Sequence, residues 1–169
     1  MAVSIELLLD DAADAVIRDR WRSLAAFGVN PAIGRPHCTL IAGAAIRGAD
    51  TRLATVAQRL PIPVLIGPPV ALPAAHGLFT LAASVVPSSE LLSIHATVHR
   101  LCGDGVDGLV DHVAPGSWTP HITLARRLTA DRVGSALTLD CSPIRAHANT
   151  IRRWDGNTGS ETVVTGRAC

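Results

Sequence analysis

The sequence contains neither lysine nor tyrosine, and its aromatic residues are three tryptophans and two phenylalanines. The absence of lysine excludes ATP-driven ligation through a lysyl-adenylate, because that chemistry needs a lysine nucleophile. Aromatic side chains form the platforms on which successive bases of single-stranded nucleic acids stack. Because aromatics make up only 3% of the chain, a short or mononucleotide-like ligand is easier to support than an extended RNA track.

Charged residues are also sparse, at 17% of the chain, and they nearly cancel, with 15 arginines, 14 acidic residues and a net charge of +1. Tight, sequence-blind binding of long nucleic acids depends on many cationic contacts with phosphates, so this balance argues against it. Hydrophobic residues make up 48% of the 169 residues, which is enough to build one sizeable core. We therefore expect one globular domain over residues 1–169.

Long apolar runs are missing as well. No apolar stretch approaches the ~18 residues that a membrane-spanning helix needs, and no charged segment followed by an apolar one opens the sequence. The cysteines show no paired spacing, which is typical of reduced thiols. We therefore expect a cytoplasmic monomer that does not bind membranes. The cysteines are Cys38, Cys102, Cys141 and Cys169.

One motif occurs twice: Pro-His-x-Thr-Leu stands at residues 36–40 and again at residues 120–124. Side chains two residues apart in a β-strand point to the same face. His37 would therefore project together with the threonine of its motif, and His121 with the threonine of the other, while the intervening residues would face a core. A single His-x-Thr arises by chance in many proteins, but two copies within a longer shared pattern predict two strands that supply one cleft.

Two imidazoles and two hydroxyls suit acid–base chemistry at a phosphorus centre. Histidine exchanges protons near neutral pH, so one neutral and one protonated ring can act as general base and general acid. The hydroxyls of Thr39 and Thr123 can donate hydrogen bonds to the non-bridging phosphate oxygens, where charge builds in the transition state. This scheme needs no metal and no other cofactor, and it suits hydrolysis of a strained cyclic phosphate. The spacing does not decide which histidine is the acid.

A zinc site is the weaker interpretation of the histidines. His95 and His99 have the spacing of two ligands on one helix face, but the glutamate of a metalloprotease helix is missing. Their apolar helical surroundings indicate a partly exposed helix face instead. We therefore expect no metal.

The paired motifs resemble those of the two-histidine phosphoesterase superfamily. The second motif with its Ala-Arg-Arg tail, residues 120–127, is especially similar to the bacterial 2′-5′ RNA ligase branch, also called RNA 2′,3′-cyclic phosphodiesterases. The resemblance covers most of the chain. It implies a metal-independent hydrolase that opens RNA or nucleotide 2′,3′-cyclic phosphates to 2′-phosphates, with reversible 2′-5′ ligation as a related reaction. It also implies that His37 is the proton donor and His121 the proton acceptor.

The remaining pattern predicts an α+β fold with two lobes. Strand, helix, motif strand, helix and strand follow one another over about 2–67, and the same order recurs over about 78–153, before a final strand at 160–166. The Pro-, Ala- and Gly-rich stretch 67–77 is the predicted crossing between lobes, and 103–118 is a predicted loop. A pseudo-two-fold arrangement would place the motif strands symmetrically about a central cleft, with antiparallel-rich sheets lining it and helices outside.

Three residues outside the motifs are candidates for binding substrate. If strand alternation persists beyond Thr123, Arg127 shares the catalytic face and can clamp a phosphate or nucleotide, whereas Arg126 points away. Trp118 and Trp154 can each stack on a base, although packing roles are commoner for tryptophan. The expected ligand is an RNA terminus or a small cyclic nucleotide.

Two other functions fit the same residues. The sparse charged and aromatic residues also suit a phosphoesterase that acts on a small non-RNA cyclic phosphate of the ADP-ribose type. A non-catalytic module that binds RNA ends is a further hypothesis, although a binding module has no need of both imidazoles. Turnover of a cyclic mononucleotide and of an RNA oligomer distinguishes these functions.

Overall fold

The structure, a computed structural model, describes residues 2–48 and 50–164. The predicted strand end at 165–166 and Cys169 lie outside the described residues. In chain order the elements are β1 (Val3–Leu9), α1 (Asp11–Ala26), β2 (His37–Gly43), β3 (Ala45–Ile46), α2 (Asp50–Ala57), β4 (Ile62–Pro73), β5 (Phe79–Val85), α3 (Ser89–Cys102), β6 (Val106–Asp107), β7 (His121–Leu128), α4 (Ala130–Ala136), β8 (Ile144–Asp155) and β9 (Ser160–Val164). The predicted order of strand, helix, motif strand, helix and strand is therefore present twice.

Seven strands form one antiparallel sheet that closes on itself. Hydrogen-bonded neighbours run in the order β1-β2-β7-β5-β4-β8-β9, and β1 also pairs with β8. Strand β8 closes the sheet because it pairs with two strands along its length. The stretch up to Ala148 pairs with β4, and the stretch from Ala148 to Asp155 pairs with β1. Helices α1 and α4 pack on β7, and α3 packs on β2. The predicted α+β class, with antiparallel sheet and helices outside it, is confirmed.

A pseudo-two-fold axis relates the two halves of the sheet. The equivalent strands are β1 and β5, β2 and β7, and β4 and β8. Equivalent strands pair with each other at the axis, where Cys38 lies opposite Ile122 and Val64 lies opposite Ala146. The halves also exchange their last strands, since β4 pairs with β5 and β8 pairs with β1. Strand pairing thus crosses the division of the sequence at 67–77, and each half completes the sheet of the other.

The stretch 67–77, predicted as a crossing between lobes, is mostly strand. Strand β4 continues to Pro73 and pairs with β5 after a register shift between Ile66 and Pro69. Prolines are tolerated in sheets at such irregularities, so a composition that predicts a loop is accommodated in a hairpin. The connection to β5 is the short 3-10 turn Ala75–Gly77.

The segment 103–118 is also more ordered than the predicted loop. Its strand β6 pairs with β3 in a two-stranded ribbon. The 3-10 turn just before β6 approaches the backbone after β3 so closely that a Cβ on Gly105 would lie 2.6 Å from the Arg47 carbonyl oxygen. Glycine at this position therefore permits a contact that composition alone does not predict.

Strand β1 shows how alternation divides the sheet into two faces. Val3, Ile5 and Leu7 belong to the hydrophobic core, whereas Ser4 and Glu6 alternate with them and are buried polar residues. Buried polar groups cost free energy unless they are hydrogen-bonded. The face that carries Ser4 and Glu6 must therefore supply polar partners, and it is also the face toward which the first motif points.

Helix α1 is fixed at its start by Asp10. One carboxylate oxygen of Asp10 accepts from the Ala13 amide at 2.9 Å, and the other accepts from the His147 amide of β8 at 2.6 Å. The bond from Ala13 contributes most to holding the pKa of Asp10 below its ordinary value, although burial acts in the opposite direction.

None of the described helices is long and apolar enough to cross a membrane.

Replacing Asp10 with Ala should lower the free energy of unfolding by about 1–2 kcal/mol at pH 7, because it removes a helix cap and a bond to β8. Since the folded-state pKa is lowered, this stabilisation is present above the unfolded-state pKa of about 3.9 and is lost as the pH falls through the folded-state pKa. Urea unfolding at several pH values measures the difference. The control is Asp11→Ala, an exposed first-turn residue, which should change the free energy by less than about 0.5 kcal/mol. Equal losses in both variants would contradict the capping role.

Candidate active site

The two motif histidines open the equivalent strands β2 and β7 with the same hydrogen bond. Nδ1 of His37 lies 2.8 Å from the carbonyl oxygen of Arg35, and Nδ1 of His121 lies 2.7 Å from the carbonyl oxygen of Thr119. A carbonyl oxygen can only accept a hydrogen bond, so Nδ1 carries the proton in both rings. Nε2 is thereby directed away from the backbone in each ring, as the nitrogen that can exchange a proton with a ligand.

The residue between each histidine and its threonine anchors the motif strand in the core. Cys38 and Ile122 pair with each other and are both buried. Strand alternation then places His37 and Thr39 on the opposite face. Burial raises the pKa of the Cys38 thiol to about 12, so this cysteine is not a nucleophile at neutral pH.

Two tryptophans hold the threonine backbones. The Trp118 indole Nε1 donates to the carbonyl oxygen of Thr39 at 3.0 Å, and the Trp21 indole Nε1 donates to the carbonyl oxygen of Thr123 at 3.2 Å. Both motif strands are therefore supported by an indole at the same position. The role of Trp21 is not visible in the sequence, because a tryptophan on the apolar stripe of a helix gives no signal of a hydrogen bond to a distant strand.

The structure separates the two tryptophans that were candidates for stacking on a base. Trp118 lies parallel to the His95 ring with centroids 3.8 Å apart, so one of its faces is covered and its contacts are those of a packing residue. Trp154 lies opposite Ser4 in the pairing of β8 with β1. It is half-buried, and the Arg152 guanidinium lies 5.2 Å from its ring centroid. Stacking of a base on Trp154 stays a prediction.

The histidine pair on α3 has a structural role. Nε2 of His95 donates to the carbonyl oxygen of Val113 at 2.8 Å, and Nε2 of His99 donates to the carbonyl oxygen of Leu40 at 3.1 Å. Burial is the main cause that lowers the pKa of both rings. His95 is fully buried rather than partly exposed as expected.

Within residues 2–48 and 50–164, no three His, Cys, Asp or Glu side chains gather to hold a metal ion.

Each motif strand bulges at the leucine that follows its threonine. The pairing of β1 with β2 shifts register at Leu40, and the pairing of β5 with β7 shifts at Leu124. A bulge inserts an unpaired residue and interrupts strict alternation. The structure consequently brings Arg126 rather than Arg127 to Thr123: Nη2 of Arg126 donates to the threonine Oγ1 at 3.4 Å, whereas Arg127 has a left-handed φ of 61°. Both arginines are exposed. The contact of Arg126 corrects the prediction that had placed Arg127 on the face of Thr123.

The surroundings of His121 favour its neutral form. Burial is the largest cause that lowers its pKa, and the charges of His112, Arg126 and His37 lower it further, while the bond to the Thr119 carbonyl acts in the opposite direction. His121 is therefore neutral near pH 7, and its Nε2 has a lone pair that can accept a proton.

A buried ion pair lies beside His37. Glu6 and Arg152 are 2% and 4% exposed, and Nε of Arg152 donates to Oε2 of Glu6 at 2.8 Å. Oε1 of Glu6 accepts from the Ser4 hydroxyl at 2.6 Å, and Nε2 of His37 lies 3.5 Å from the same oxygen. Arg152 also donates through Nη1 to Glu161 at 2.5 Å. The Glu6–Arg152 pair has no signal in the sequence, because its members belong to no motif and lie on β1 and β8, far apart in the chain.

Solved structures with the same fold share little sequence with this chain. TT0787 of Thermus thermophilus has a TM-score of 0.58 at 17% identity, and the match covers 99% of this chain and 100% of that one. LigT of E. coli, solved in complex with 3′-AMP, has a TM-score of 0.54 at 15% identity and covers 95% of this chain and 91% of its own. Usb1 of Kluyveromyces marxianus has a TM-score of 0.52 at 13% identity, covers 97% of both chains, and has also been solved with uridine monophosphate.

The similarity lies in the fold. No protein-family model and no curated protein sequence matches this chain. The structural matches nevertheless extend over almost the whole chain, and the two halves carry their motifs on equivalent strands. The predicted fold is confirmed as one that this chain shares with these solved structures.

The pKa of His121 provides a test of this geometry that needs no substrate. In a pH titration of the imidazole Cε1 protons by NMR, His121 should titrate below the ordinary histidine pKa of about 6.5. Arg126→Gln should raise its midpoint, because a nearby positive charge is removed. Arg127→Gln is the matched control, and it should leave the midpoint where it is. A larger effect of Arg127→Gln would show that the wrong arginine has been placed at the site.

Proposed function

We propose that this two-histidine fold is a metal-independent cyclic phosphodiesterase, which opens 2′,3′-cyclic phosphates at an RNA or nucleotide terminus to 2′-phosphates. The observation that carries the proposal is the matched orientation of His37 and His121. Each ring donates from Nδ1 to the carbonyl oxygen two residues earlier and directs Nε2 away from the backbone. Two imidazoles held in this way on strands that meet at a pseudo-two-fold axis can act on opposite sides of one phosphorus atom.

The proposed reaction has one general base and one general acid. Nε2 of His121 removes a proton from water as the water oxygen attacks phosphorus. The bond between phosphorus and the ribose 3′ oxygen breaks, and His37 gives that oxygen the proton it needs to leave as a hydroxyl. The product carries a 2′-phosphate, and one further proton exchange returns both rings to their starting states. The lowered pKa of His121 supports its assignment as the base.

The remaining groups of the site would bind the phosphate. The hydroxyls of Thr39 and Thr123 can donate to the non-bridging oxygens, where they stabilise the charge of the transition state. Arg126 is a cation next to Thr123 and can share this task. Arginine suits it because the guanidinium forms directed hydrogen bonds with phosphate oxygens.

Several observations support a nucleotide or RNA terminus as the ligand. Two of the similar structures contain nucleoside monophosphates, 3′-AMP in LigT and uridine monophosphate in Usb1. The low aromatic and charged content favours a terminus over a long strand, and Trp154 offers a ring for one base. With a 5′ hydroxyl in place of water, the same chemistry would form a 2′-5′ linkage, which is ligation without ATP.

The first experiment is incubation of the protein with a 2′,3′-cyclic nucleotide in the presence of EDTA. We expect hydrolysis that the chelator does not reduce, with the 2′-phosphate as the product, because both catalytic groups belong to the protein itself. Chromatography against 2′- and 3′-phosphate standards identifies the product. A 3′-phosphate product would show that the ribose 2′ oxygen leaves and not the 3′ oxygen. Loss of activity with EDTA would contradict the metal-independent mechanism.

A cyclic-ended RNA oligomer and a small non-RNA cyclic phosphate of the ADP-ribose type are assayed in parallel. Turnover of the last compound alone would replace the RNA-end assignment with a phosphoesterase for small metabolites. Binding of RNA ends without any product would replace the enzyme with a binding module.

Alanine variants measure the contribution of each group. His37→Ala or His121→Ala should lower kcat by about 10²- to 10⁴-fold, since each removes one proton transfer. Thr39→Ala or Thr123→Ala should cost less, about 10- to 10²-fold, because a hydrogen bond to a charged oxygen contributes about 1.5–3 kcal/mol. Circular dichroism confirms that each variant is folded. Undiminished activity in either histidine variant would exclude the mechanism.

A further inference from the structure

The pseudo-two-fold axis allows the surroundings of the two histidines to be compared position by position. Glu6 lies opposite Thr39 in the pairing of β1 with β2, and Ala82 lies opposite Thr123 in the pairing of β5 with β7. Glu6 and Ala82 are therefore equivalent. The first half has a buried carboxylate at a position where the second half has a methyl group.

A charge of the opposite sign distinguishes the second half. Arg126 is the third residue after its motif threonine, and the equivalent residue of the first half is Ala42. The positive charge of Arg126 acts on His121. The fold thus provides two nearly equivalent imidazoles, and the sequence sets a carboxylate beside His37 and a guanidinium beside His121.

The hydrogen-bond inventory of His37 indicates which form of the ring fits its place. Nδ1 faces the carbonyl oxygen of Arg35 at 2.8 Å, and Nε2 faces Oε1 of Glu6 at 3.5 Å. Both neighbours accept hydrogen bonds, and only the imidazolium has a proton on both nitrogens. At 3.5 Å the two atoms are within ion-pair distance when the ring is protonated, and the contact is too long for a short hydrogen bond, so a proton on Nε2 can still be given to a ligand.

We propose that Glu6 is a positioning residue that holds His37 in its protonated form and thereby makes it the general acid of the pair. Glu6 acts through His37 and does not touch the reacting atoms. The inference rests on the proposed function in one respect, because the acid role has a meaning only if the two rings act on a phosphate. The charge and orientation of His37 do not depend on the proposed function, because both can be measured without a substrate.

The other charged groups nearby leave the carboxylate of Glu6 able to stabilise a positive charge on His37. Glu6 on β1 and His121 on β7 interact electrostatically with His37. Behind Glu6, Arg152 on β8 donates to Oε2 of Glu6 and to Glu161 on β9. Glu161 also lies 3.7 Å from Arg35, just before β2. Oε1, the oxygen of Glu6 that faces His37, is not the one that Arg152 binds. The Nε and Nη1 of Arg152 are both engaged in a buried position, which makes Arg152 a support for Glu6 and a poor ligand for phosphate.

The test is Glu6→Gln, which preserves the shape of the side chain and removes its charge. A general acid must be protonated to work, so the alkaline limb of the kcat profile follows its deprotonation. In the variant this limb should move to lower pH by about one to two units, and kcat on the alkaline side should fall about 10- to 100-fold. KM and the acid limb, which follows His121, should change little.

NMR titration of the imidazole Cε1 protons gives a second readout that needs no turnover. In Glu6→Gln the His37 signal should move to a lower midpoint than in the unaltered protein, because the carboxylate beside Nε2 loses its charge. An unchanged His37 midpoint in folded Glu6→Gln would overturn the role of Glu6. A protein that shows the expected titration but hydrolyses no cyclic phosphate would instead overturn the proposed function, so the two failures are distinguishable.

The matched control is Glu161→Gln, which removes the other carboxylate on Arg152 and leaves Glu6 beside His37. Its alkaline limb should stay in place. A shift as large as that of Glu6→Gln would assign the effect to the whole ion-pair network and would contradict the proposal. If Glu6→Gln does not fold, Glu6→Asp takes its place, because it moves the carboxylate away from Nε2 of His37. An alkaline limb that stays in place in folded Glu6→Asp would contradict the proposal.

Discussion

The candidate site depends on one backbone pairing, that of Cys38 with Ile122 at the pseudo-two-fold axis. Both side chains point into the core, so the residues on either side of them must project to the opposite face. The pairing therefore brings together two histidines that are distant in the sequence and gives them related orientations. The exchange of β4 and β8 between the halves closes the sheet behind this pairing, so neither half can be displaced without breaking the strand contacts of the other.

The groups around the pairing restrict the motion of the motif strands. Indole donors from Trp21 and Trp118 fix the carbonyl oxygens of the two threonines, and backbone carbonyls fix one nitrogen of each histidine. Catalytic groups held by a surrounding shell of bonds lose little freedom when a ligand binds. A chain with few aromatic residues thus uses two of its three tryptophans to support the site, whereas stacking of a base on Trp154 stays a prediction.

The sequence was sufficient to predict the element order, the α+β class and the meeting of the two motifs, because period-two alternation and a repeated pattern are local signals. It could not predict the features that depend on contacts between distant residues. The bulges at Leu40 and Leu124 arise from pairing with a neighbouring strand, and they are the reason that Arg126 replaces Arg127 beside Thr123. The Glu6–Arg152 ion pair joins β1 to β8, and nothing in either local sequence signals the other partner.

The arrangement of charges also bears on which phosphate the site can hold. Arg152 is occupied by two carboxylates, so the cation next to a motif hydroxyl is Arg126, and a carboxylate lies on the opposite side beside His37. A cyclic phosphodiester carries one negative charge, whereas a phosphate monoester carries about −1.5 to −2 at neutral pH. A site with one guanidinium and one carboxylate is better matched to the single charge of a cyclic phosphodiester than to the higher charge of a phosphate monoester. Under the proposed function, the same electrostatics that make the two histidines unequal would favour a cyclic phosphodiester over its hydrolysis product and ease the release of that product.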